Sequence, residues 1–223
     1  MNHFIDALKL VAFPIHKEGY KFILIFAFAT IILALFSDVL GTIGLVLTLW
    51  CVFFFRDPHR VIPAGDQLVI SPADGKVTEI NLDVTPPSEL GLAAAKWNKI
   101  TVFLNVFNVH VNRVPMAGVV QQVNYREGKF LSANAENASA ENERNSVVVK
   151  TKDGKEIVFI QIAGLVARRI VSELKEGQQV NAGEKYGIIR FGSRADIYLP
   201  QDAKIKVLVG QTMIGGESVL AEF

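Results

Sequence analysis

Gly177-Gln-Gln-Val-Asn-Ala-Gly-Glu184 is one of two similar octapeptides, and the other, Gly210-Gln-Thr-Met-Ile-Gly-Gly-Glu217, begins 33 positions later. Glycine at the first and seventh positions of both favours turns, because glycine adopts backbone conformations that other residues rarely enter. The pair is a weak internal repeat. It indicates that one type of turn is built twice in the C-terminal part of the chain.

Short β-prone runs separated by Gly, Asp and Asn surround both octapeptides and begin after Pro63. They predict strands near 68–70, 76–82, 99–103, 118–125, 146–151, 156–162, 186–191, 195–198, 205–209 and 218–221. Their spacing favours an antiparallel β-sandwich or a partly closed barrel. The repeated turns resemble the half-motifs of lipoyl-type sandwiches, in which two pseudo-symmetric halves interleave. The predicted fold class is therefore mainly β, of the α+β type.

Two uncharged apolar runs, 22–36 and 39–55, precede this β-rich part and are separated by Ser37-Asp38. Each is slightly shorter than the ~20 residues that a helix needs to cross a bilayer. The pattern predicts a helical hairpin over 22–55 that spans or enters a membrane, after an amphipathic surface segment over 1–21. Lysine and arginine flank both ends, which favours a cytoplasmic location for the β domain, 56–223. A helix pair buried in a globular core is the alternative.

The composition excludes several classes of protein. A net charge of +1 provides no basic face, which argues against nucleic acid as a partner. The single cysteine, Cys51, excludes an internal disulfide. No cysteine and histidine residues have the spacing of metal ligands, so we expect no metal site.

Gly192-Ser193 is the single Gly-Ser step of the chain and lies in the β-prone run 186–200. A serine hydroxyl can attack the carbonyl of the preceding residue, and glycine offers the least steric resistance there. The resulting ester can eliminate across Cα–Cβ of the serine, which breaks the chain and leaves a pyruvoyl ketone on the new N-terminus. Alone, the dipeptide is more typical of a turn or a strand end.

Two other polar positions could assist such a serine. Asp74 lies in Ser71-Pro-Ala-Asp-Gly75, a sequence typical of a type I turn. His110 lies in the apolar run 104–115, where it would share one face of a strand with Asn112. A plain turn former and a structural histidine are the alternatives to catalytic roles.

Six motifs in order resemble those of the phosphatidylserine decarboxylases, specifically the short form with a membrane-anchored N-terminus. They cover nearly the whole chain and are Phe55-Arg-Asp-Pro58, Ser71-Pro-Ala-Asp-Gly75, Asn108-Val-His-Val-Asn-Arg113, Glu141-Asn-Glu-Arg144, Gln161-Ile-Ala-Gly-Leu-Val-Ala-Arg-Arg169 and Arg190-Phe-Gly-Ser193. Archaeal enzymes that act on archaetidylserine are close to the same family, so the resemblance leaves the lipid tail open.

The resemblance implies a proenzyme that cuts itself between Gly192 and Ser193 into a β chain, 1–192, and an α chain, 193–223, which stay associated. The α chain would carry a pyruvoyl group made from Ser193, without pyridoxal phosphate or metal. Asp74 and His110 occupy the positions of the residues that assist the serine. Arg113 stands where the longer branch of the family has a second histidine.

The implied reaction is the decarboxylation of phosphatidylserine to phosphatidylethanolamine at the cytoplasmic face of a membrane, as a step of phospholipid biosynthesis. Candidates to bind the lipid phosphate or carboxylate are Arg144, Arg168, Arg169, Asn112 and Arg113. A homo-oligomer is compatible with this interpretation. The alternatives are a membrane-anchored lipoyl-like adaptor, which would not explain Asp74, His110 and Ser193 together, and a serine hydrolase, whose Gly-x-Ser-x-Gly elbow is missing.

Overall fold

The computed structural model describes residues 13–92, 96–128, 141–164, 169–190 and 193–223. The chain divides into two compact units, with the boundary between His59 and Arg60. The N-terminal unit is helical and the C-terminal unit is built from β-strands. This arrangement confirms the predicted fold class.

The N-terminal unit is a hairpin of two helices, α1 (Lys17–Phe36) and α2 (Asp38–Phe54). Helix α1 begins earlier than the apolar run, because the side chain of His16 accepts a hydrogen bond from the Glu18 amide and caps the first turn. Ser37 ends α1 and begins α2. Most of the predicted surface segment over 1–21 lies outside the described residues.

Small residues let the two helices pack closely. A Cβ atom at Gly41 would lie 2.8 Å from the Ala34 side chain, and one at Gly44 would lie 2.8 Å from the Thr30 hydroxyl. The Thr30 and Thr48 hydroxyls share a hydrogen bond of 2.9 Å across the pair. Of α1, only Gly19 is buried, so its apolar side chains are not the core of a globular domain. By length and composition, α1 could cross a membrane.

The C-terminal unit contains fourteen strands in its described residues. Their bounds are β1 Leu68–Ile70, β2 Gly75–Val84, β3 Trp97–Leu104, β4 Val111–Arg113, β5 Gly118–Arg126, β6 Arg144–Lys150, β7 Glu156–Ala163, β8 Arg169–Ser172, β9 Gln179–Val180, β10 Lys185–Arg190, β11 Ser193–Pro200, β12 Lys204–Ile205, β13 Thr212–Met213 and β14 Val219–Glu222.

These strands form three antiparallel sheets. The large sheet has the order β13-β2-β3-β11-β7-β6-β5-β9, and two small sheets have the orders β1-β14-β12 and β4-β10-β8. The small sheets cover one face of the large sheet, which we call the inner face. Their side chains pack there in two clusters, one around Val69, Ile197 and Leu220, the other around Phe159 and Tyr186. The unit is thus a β-sandwich.

The two octapeptides occupy equivalent places in this sandwich. Each contains a two-residue edge strand, β9 or β13, at opposite ends of the large sheet. The Gly177 amide donates to Val120 O and the Gly210 amide to Val77 O, both at 2.8 Å. All four turn glycines of the octapeptides, Gly177, Gly183, Gly210 and Gly216, have φ between +78° and +97°, a region that disfavours other residues. The repeat therefore marks two similar halves of one sandwich.

Candidate active site

Ser193 is the first residue of β11, in the middle of the large sheet. It lies opposite Leu104 of β3 on one side and Ala163 of β7 on the other. The residue is fully buried, and its Oγ atom has no hydrogen-bond partner among the described residues. Gly192, the other half of the predicted cleavage step, lies outside the described residues. A buried hydroxyl without a hydrogen bond lowers the stability of the folded protein, and a catalytic role is one reason why such a group is retained.

His110 is also fully buried and directly precedes β4, which begins at Val111. Its Nδ1 atom lies 2.9 Å from the carbonyl oxygen of Asn108. Because a carbonyl only accepts, Nδ1 carries the proton and Nε2 is the basic nitrogen of the ring. The carbonyl of His110 accepts from the Ile189 amide at 3.3 Å. His110 thus lies beside β10, the strand whose chain leads directly towards Ser193.

Asp74 lies in the turn between β1 and β2. One guanidinium nitrogen of Arg60 donates to both carboxylate oxygens, at 3.0 and 2.9 Å, and the Gly215 amide donates to Oδ1 at 2.7 Å. The hydrogen bonds of Asp74 therefore go to Arg60 and Gly215, and not to His110. Arg60 is not recognisable as a site residue in the sequence, because only the tertiary structure brings it to Asp74.

Two connections bring these three residues to the same end of the large sheet. Strand β3 separates β2 from β11, so Gly75, the residue after Asp74, lies about 10 Å from Ser193, two strand spacings. The Arg113 amide of β4 donates to Pro72 O at 2.9 Å, which ties the His110 segment to the Asp74 turn. Ser193, His110 and Asp74 therefore lie near one end of the large sheet.

Arg113 is buried next to Arg60. Its Nη1 atom donates to Gly183 O at 2.9 Å. A Cβ atom at Gly216 would lie 2.8 Å from Arg113 Cδ and 3.4 Å from Arg60 Cβ, so the bare backbone of Gly216 makes room for both side chains. Two arginine side chains thus meet at Gly216, and the Asp74 carboxylate pairs with one of them, Arg60.

Asn112 belongs to a buried chain of amides that includes two residues outside the predicted site. Gln161 Nε2 donates to Asn112 Oδ1 at 2.8 Å, and Asn145 Nδ2 donates to Gln161 Oε1 at 3.0 Å. All three residues are at most 1% exposed. The Nδ2 atom of Asn112 has no hydrogen-bond partner among the described residues.

The structure does not bring Arg144 to Ser193. Arg144 lies opposite Ile162, whereas Ser193 lies opposite the next residue, Ala163. Because successive residues of a strand point to opposite faces, Arg144 and Ser193 lie on opposite faces of the large sheet. On its own face, Arg144 forms an ion pair with Glu89 at a cleft of about 350 Å³. Its role in substrate binding stays a prediction.

Arg169 is a further predicted arginine that the structure describes. Arg169 is exposed and begins β8, opposite Arg190 of β10, whereas Arg168 lies outside the described residues. The buried carboxylate of Glu143 supports the start of β8. It accepts from the Tyr125 hydroxyl at 2.8 Å and from the Ile170 amide at 3.0 Å. Burial, reinforced by the bond to Glu143, raises the pKa of Tyr125 to about 12.

Among the described residues, no group of three or more His, Cys, Asp or Glu side chains could hold a metal ion. The site is built instead from one hydroxyl, one imidazole, one carboxylate balanced by arginines, and amides. These groups suit acid–base and nucleophilic chemistry.

Comparison with known proteins assigns the chain to a class of enzymes, the decarboxylases that are made as proenzymes. The family model described as phosphatidylserine decarboxylase matches residues 47–221. The phosphatidylserine decarboxylase proenzymes of Rickettsia akari and Rickettsia bellii are 51% and 50% identical to the chain over 223 residues, covering 100% of it and 94% of each relative.

The chain belongs to the phosphatidylserine decarboxylase family. The predicted resemblance and the predicted enzyme class are therefore confirmed. The adaptor and the serine hydrolase, which the sequence left as alternatives, do not fit a chain that matches this family over its full length.

Proposed function

We propose that the chain decarboxylates phosphatidylserine to phosphatidylethanolamine and CO2, using a pyruvoyl group that it makes from its own Ser193. Ser193 carries the proposal, since it is a fully buried serine whose hydroxyl has no hydrogen-bond partner among the described residues. Membership of the family supports the reaction and the substrate.

Self-cleavage uses His110 as the base. Its Nε2 atom takes the proton of Ser193 Oγ, and Oγ attacks the carbonyl carbon of Gly192. The peptide C–N bond breaks as the ester forms, and the freed amine stays on Ser193. Loss of the Cα proton and of the Gly192 carboxylate then cuts the chain, and water releases ammonia to leave the ketone.

Asp74 assists this step through charge. Its carboxylate balances Arg60, and Arg113 lies beside the same Gly216 backbone. Without that negative charge, the positive charges of Arg60 and Arg113 would disfavour protonation of His110, which lies three residues before Arg113. Asn108, rather than Asp74, orients the ring through Nδ1.

The residues around Ser193 fit a pyruvoyl group, which when present withdraws electrons from the carbon that loses CO2. Ala163, Ile170 and Ile189 form a buried apolar cluster at this position. Their packing excludes water from the substrate carboxylate, and a poorly solvated carboxylate loses CO2 more readily. Asn112, Arg113 and Arg169 are the described candidates to hold the head group, and His110 is the candidate to return a proton.

The helical hairpin suits a substrate that stays in a bilayer. Helix α1 is long and apolar enough to cross a membrane, and α2 is a shorter apolar helix. We place the β domain, 56–223, on the cytoplasmic side, because lysine and arginine flank both ends of the hairpin. The two chains, 1–192 and 193–223, would remain bound to each other after cleavage.

Ser193→Ala tests the proposal. The wild-type protein should run as two fragments on a denaturing gel, with a blocked N-terminus on the smaller one, and lose activity when hydroxylamine consumes the ketone. The variant should remain one uncut and inactive chain. Ser146→Ala is the matched control, because Ser146 is also fully buried with an unpaired hydroxyl among the described residues, and it should be cut and active. A Ser193→Ala protein that is cut and active would falsify the proposal.

A further inference from the structure

The chain of buried amides has a direction. Asn145 Nδ2 donates to Gln161 Oε1, and Gln161 Nε2 donates to Asn112 Oδ1. We propose that Asn145 and Gln161 are positioning residues that fix the orientation of the Asn112 amide, so that Asn112 Nδ2 donates a hydrogen bond to the carboxylate of the substrate. This inference rests on the proposed function and assigns a specific task to Asn112.

Each amide in the chain decides the orientation of the next. An amide offers an acceptor on one side and a donor on the other, so a donor from Gln161 obliges Asn112 to present Oδ1 to it. Nδ2 of Asn112 must then point away from Gln161. The row of three amides therefore ends in a hydrogen-bond donor, Asn112 Nδ2, and not in an acceptor.

Asn112 lies over the part of the large sheet that carries Ser193. Gln161 lies opposite Ala195, which is two residues from Ser193 and on the same inner face. Asn112 reaches Gln161 from the small sheet, where it pairs with Gly187 of β10. A Cβ atom at Gly187 would lie 3.2 Å from Gln161 Nε2, so this glycine leaves room for the contact.

Asn112 Nδ2 is a buried donor without a described partner, although Asn112 is 0% exposed. Leaving a buried donor unpaired destabilises the free protein, and a ligand that accepts from it removes this penalty on binding. The unpaired hydroxyl of Ser193 lies on the same inner face, two residues from the Ala195 that lies opposite Gln161. The acceptor that completes Asn112 is therefore part of the substrate bound at Ser193.

A carboxylate is the acceptor that this chemistry favours. Decarboxylation removes negative charge from the carboxylate, so a cationic partner would stabilise the ground state more than the transition state. A neutral amide orients the carboxylate without that cost. The apolar cluster of Ala163, Ile170 and Ile189 adds no charge of its own beside Ser193.

Gln161→Glu tests the inference while preserving the shape of the side chain. When ionised, the introduced carboxylate only accepts, so Asn112 must turn its Nδ2 towards it and present Oδ1 to the substrate. We expect kcat per cut enzyme to fall roughly ten- to hundred-fold at about pH 8, because Oδ1 would face the substrate carboxylate and turn it out of the orientation for loss of CO2. The introduced carboxyl can donate again once it is protonated, so the variant should recover towards wild-type kcat as the pH is lowered.

Asn145→Asp provides a second variant that acts from farther away. The ionised carboxylate of this variant would turn the Gln161 amide, which would then turn Asn112. The same fall in kcat and the same recovery at low pH are expected. Ser146→Ala, at the adjacent position on the opposite face of β6, should follow the wild-type pH profile.

Two results would overturn the inference. One is wild-type kcat for Gln161→Glu and Asn145→Asp across the pH range. The other is a loss in both variants that does not recover at low pH, which would indicate a merely structural role. Either result leaves the pyruvoyl mechanism intact, because that mechanism is decided by cutting and activity in Ser193→Ala.

Discussion

The two halves of the sandwich share a backbone and differ in their polar residues. Ser71-Pro-Ala-Asp-Gly75 in one half corresponds to Val114-Pro-Met-Ala-Gly118 in the other. The Gly216 amide donates to Ser71 O as the Gly183 amide donates to Val114 O, both at 2.8 Å. The halves are also joined by two equivalent backbone hydrogen bonds. The Ile70 amide donates to Pro115 O and the Arg113 amide donates to Pro72 O, both at 2.9 Å.

This comparison separates architecture from chemistry. Ala117 takes the place of Asp74 in the second half and is exposed, so the turn forms without a carboxylate. The sheet end beside Ala117 has a cleft of about 250 Å³ lined by Lys150 and Thr151, and no histidine among its lining residues. A fold with twofold pseudo-symmetry therefore carries its candidate active site at only one of two equivalent ends.

Moving the carboxylate between the halves should have the largest effect. Asp74→Asn keeps the size of the side chain and the bond from Gly215 but removes the charge that balances Arg60. We expect self-cleavage to slow by roughly tenfold or more, since each pKa unit lost by a base corresponds to about 1.4 kcal/mol. The rate is measured from the growth of the two fragments on a denaturing gel.

The matched control for that experiment is Ala117→Asp, which places a carboxylate at the equivalent and exposed position. It should cut at the wild-type rate. Equal cleavage rates for Asp74→Asn and the wild-type protein would show that the difference between the halves is not functional.

The glycines that end the two motifs, Gly75 and Gly118, should both be necessary for stability, because they occupy equivalent places in the two halves. A Cβ atom at Gly75 would lie 2.2 Å from Phe103 O, and one at Gly118 would lie 2.4 Å from Lys150 O. We expect either Gly→Ala change to destabilise the domain by about 2–3 kcal/mol, more at Gly75, where φ is +155°. Thermal unfolding of the uncut Ser193→Ala protein measures both losses. A neutral change at one glycine only would break the equivalence.

The smallest effect is expected where one half has a hydrogen bond and the other has none. Tyr125 donates to Glu143, whereas the corresponding residue of β2 is Leu82. Tyr125→Phe should cost at most about 1 kcal/mol, because the half-exposed hydroxyl also bonds to water in the unfolded chain.

The pH dependence of this contribution has a definite sign. The folded protein raises the pKa of Tyr125 from 10.0 to about 12, so the stability it confers is complete below pH 10 and is lost as the pH rises through 12. Urea unfolding at about pH 9 and at about pH 11.5 should therefore show a smaller difference between wild type and Tyr125→Phe at the higher pH. A difference that grows with pH would contradict this assignment.

The sequence predicts most of the long strands because their apolar runs are bounded by turn residues. It does not predict β4, β8, β9 and β13, which have two to four residues each. Such short strands exist through pairing with distant parts of the chain, and their local patterns are those of turns. The predicted strand at 205–209 shortens to Lys204–Ile205 for the same reason.

The sequence predicts which residues belong to the candidate site, but it does not predict which residues they contact. Ser193, His110 and Asp74 lie in recognisable motifs, and the structure brings them to one end of the sheet. The ion pair of Asp74 with Arg60 and the bond from Gln161 to Asn112 depend on how strands meet in space. Likewise, the face on which Arg144 lies depends on a register that no local pattern contains.

Strand β11 lies between β3 and β7, held by neighbours on both sides from its first residue onward. A polypeptide that ended at residue 192 would lack this central strand, and the large sheet would fall into two separate pieces. We therefore expect the proposed scission to follow assembly of the sandwich. The central place of β11 thus predicts an order of events in which the uncut polypeptide folds first and is cut afterwards.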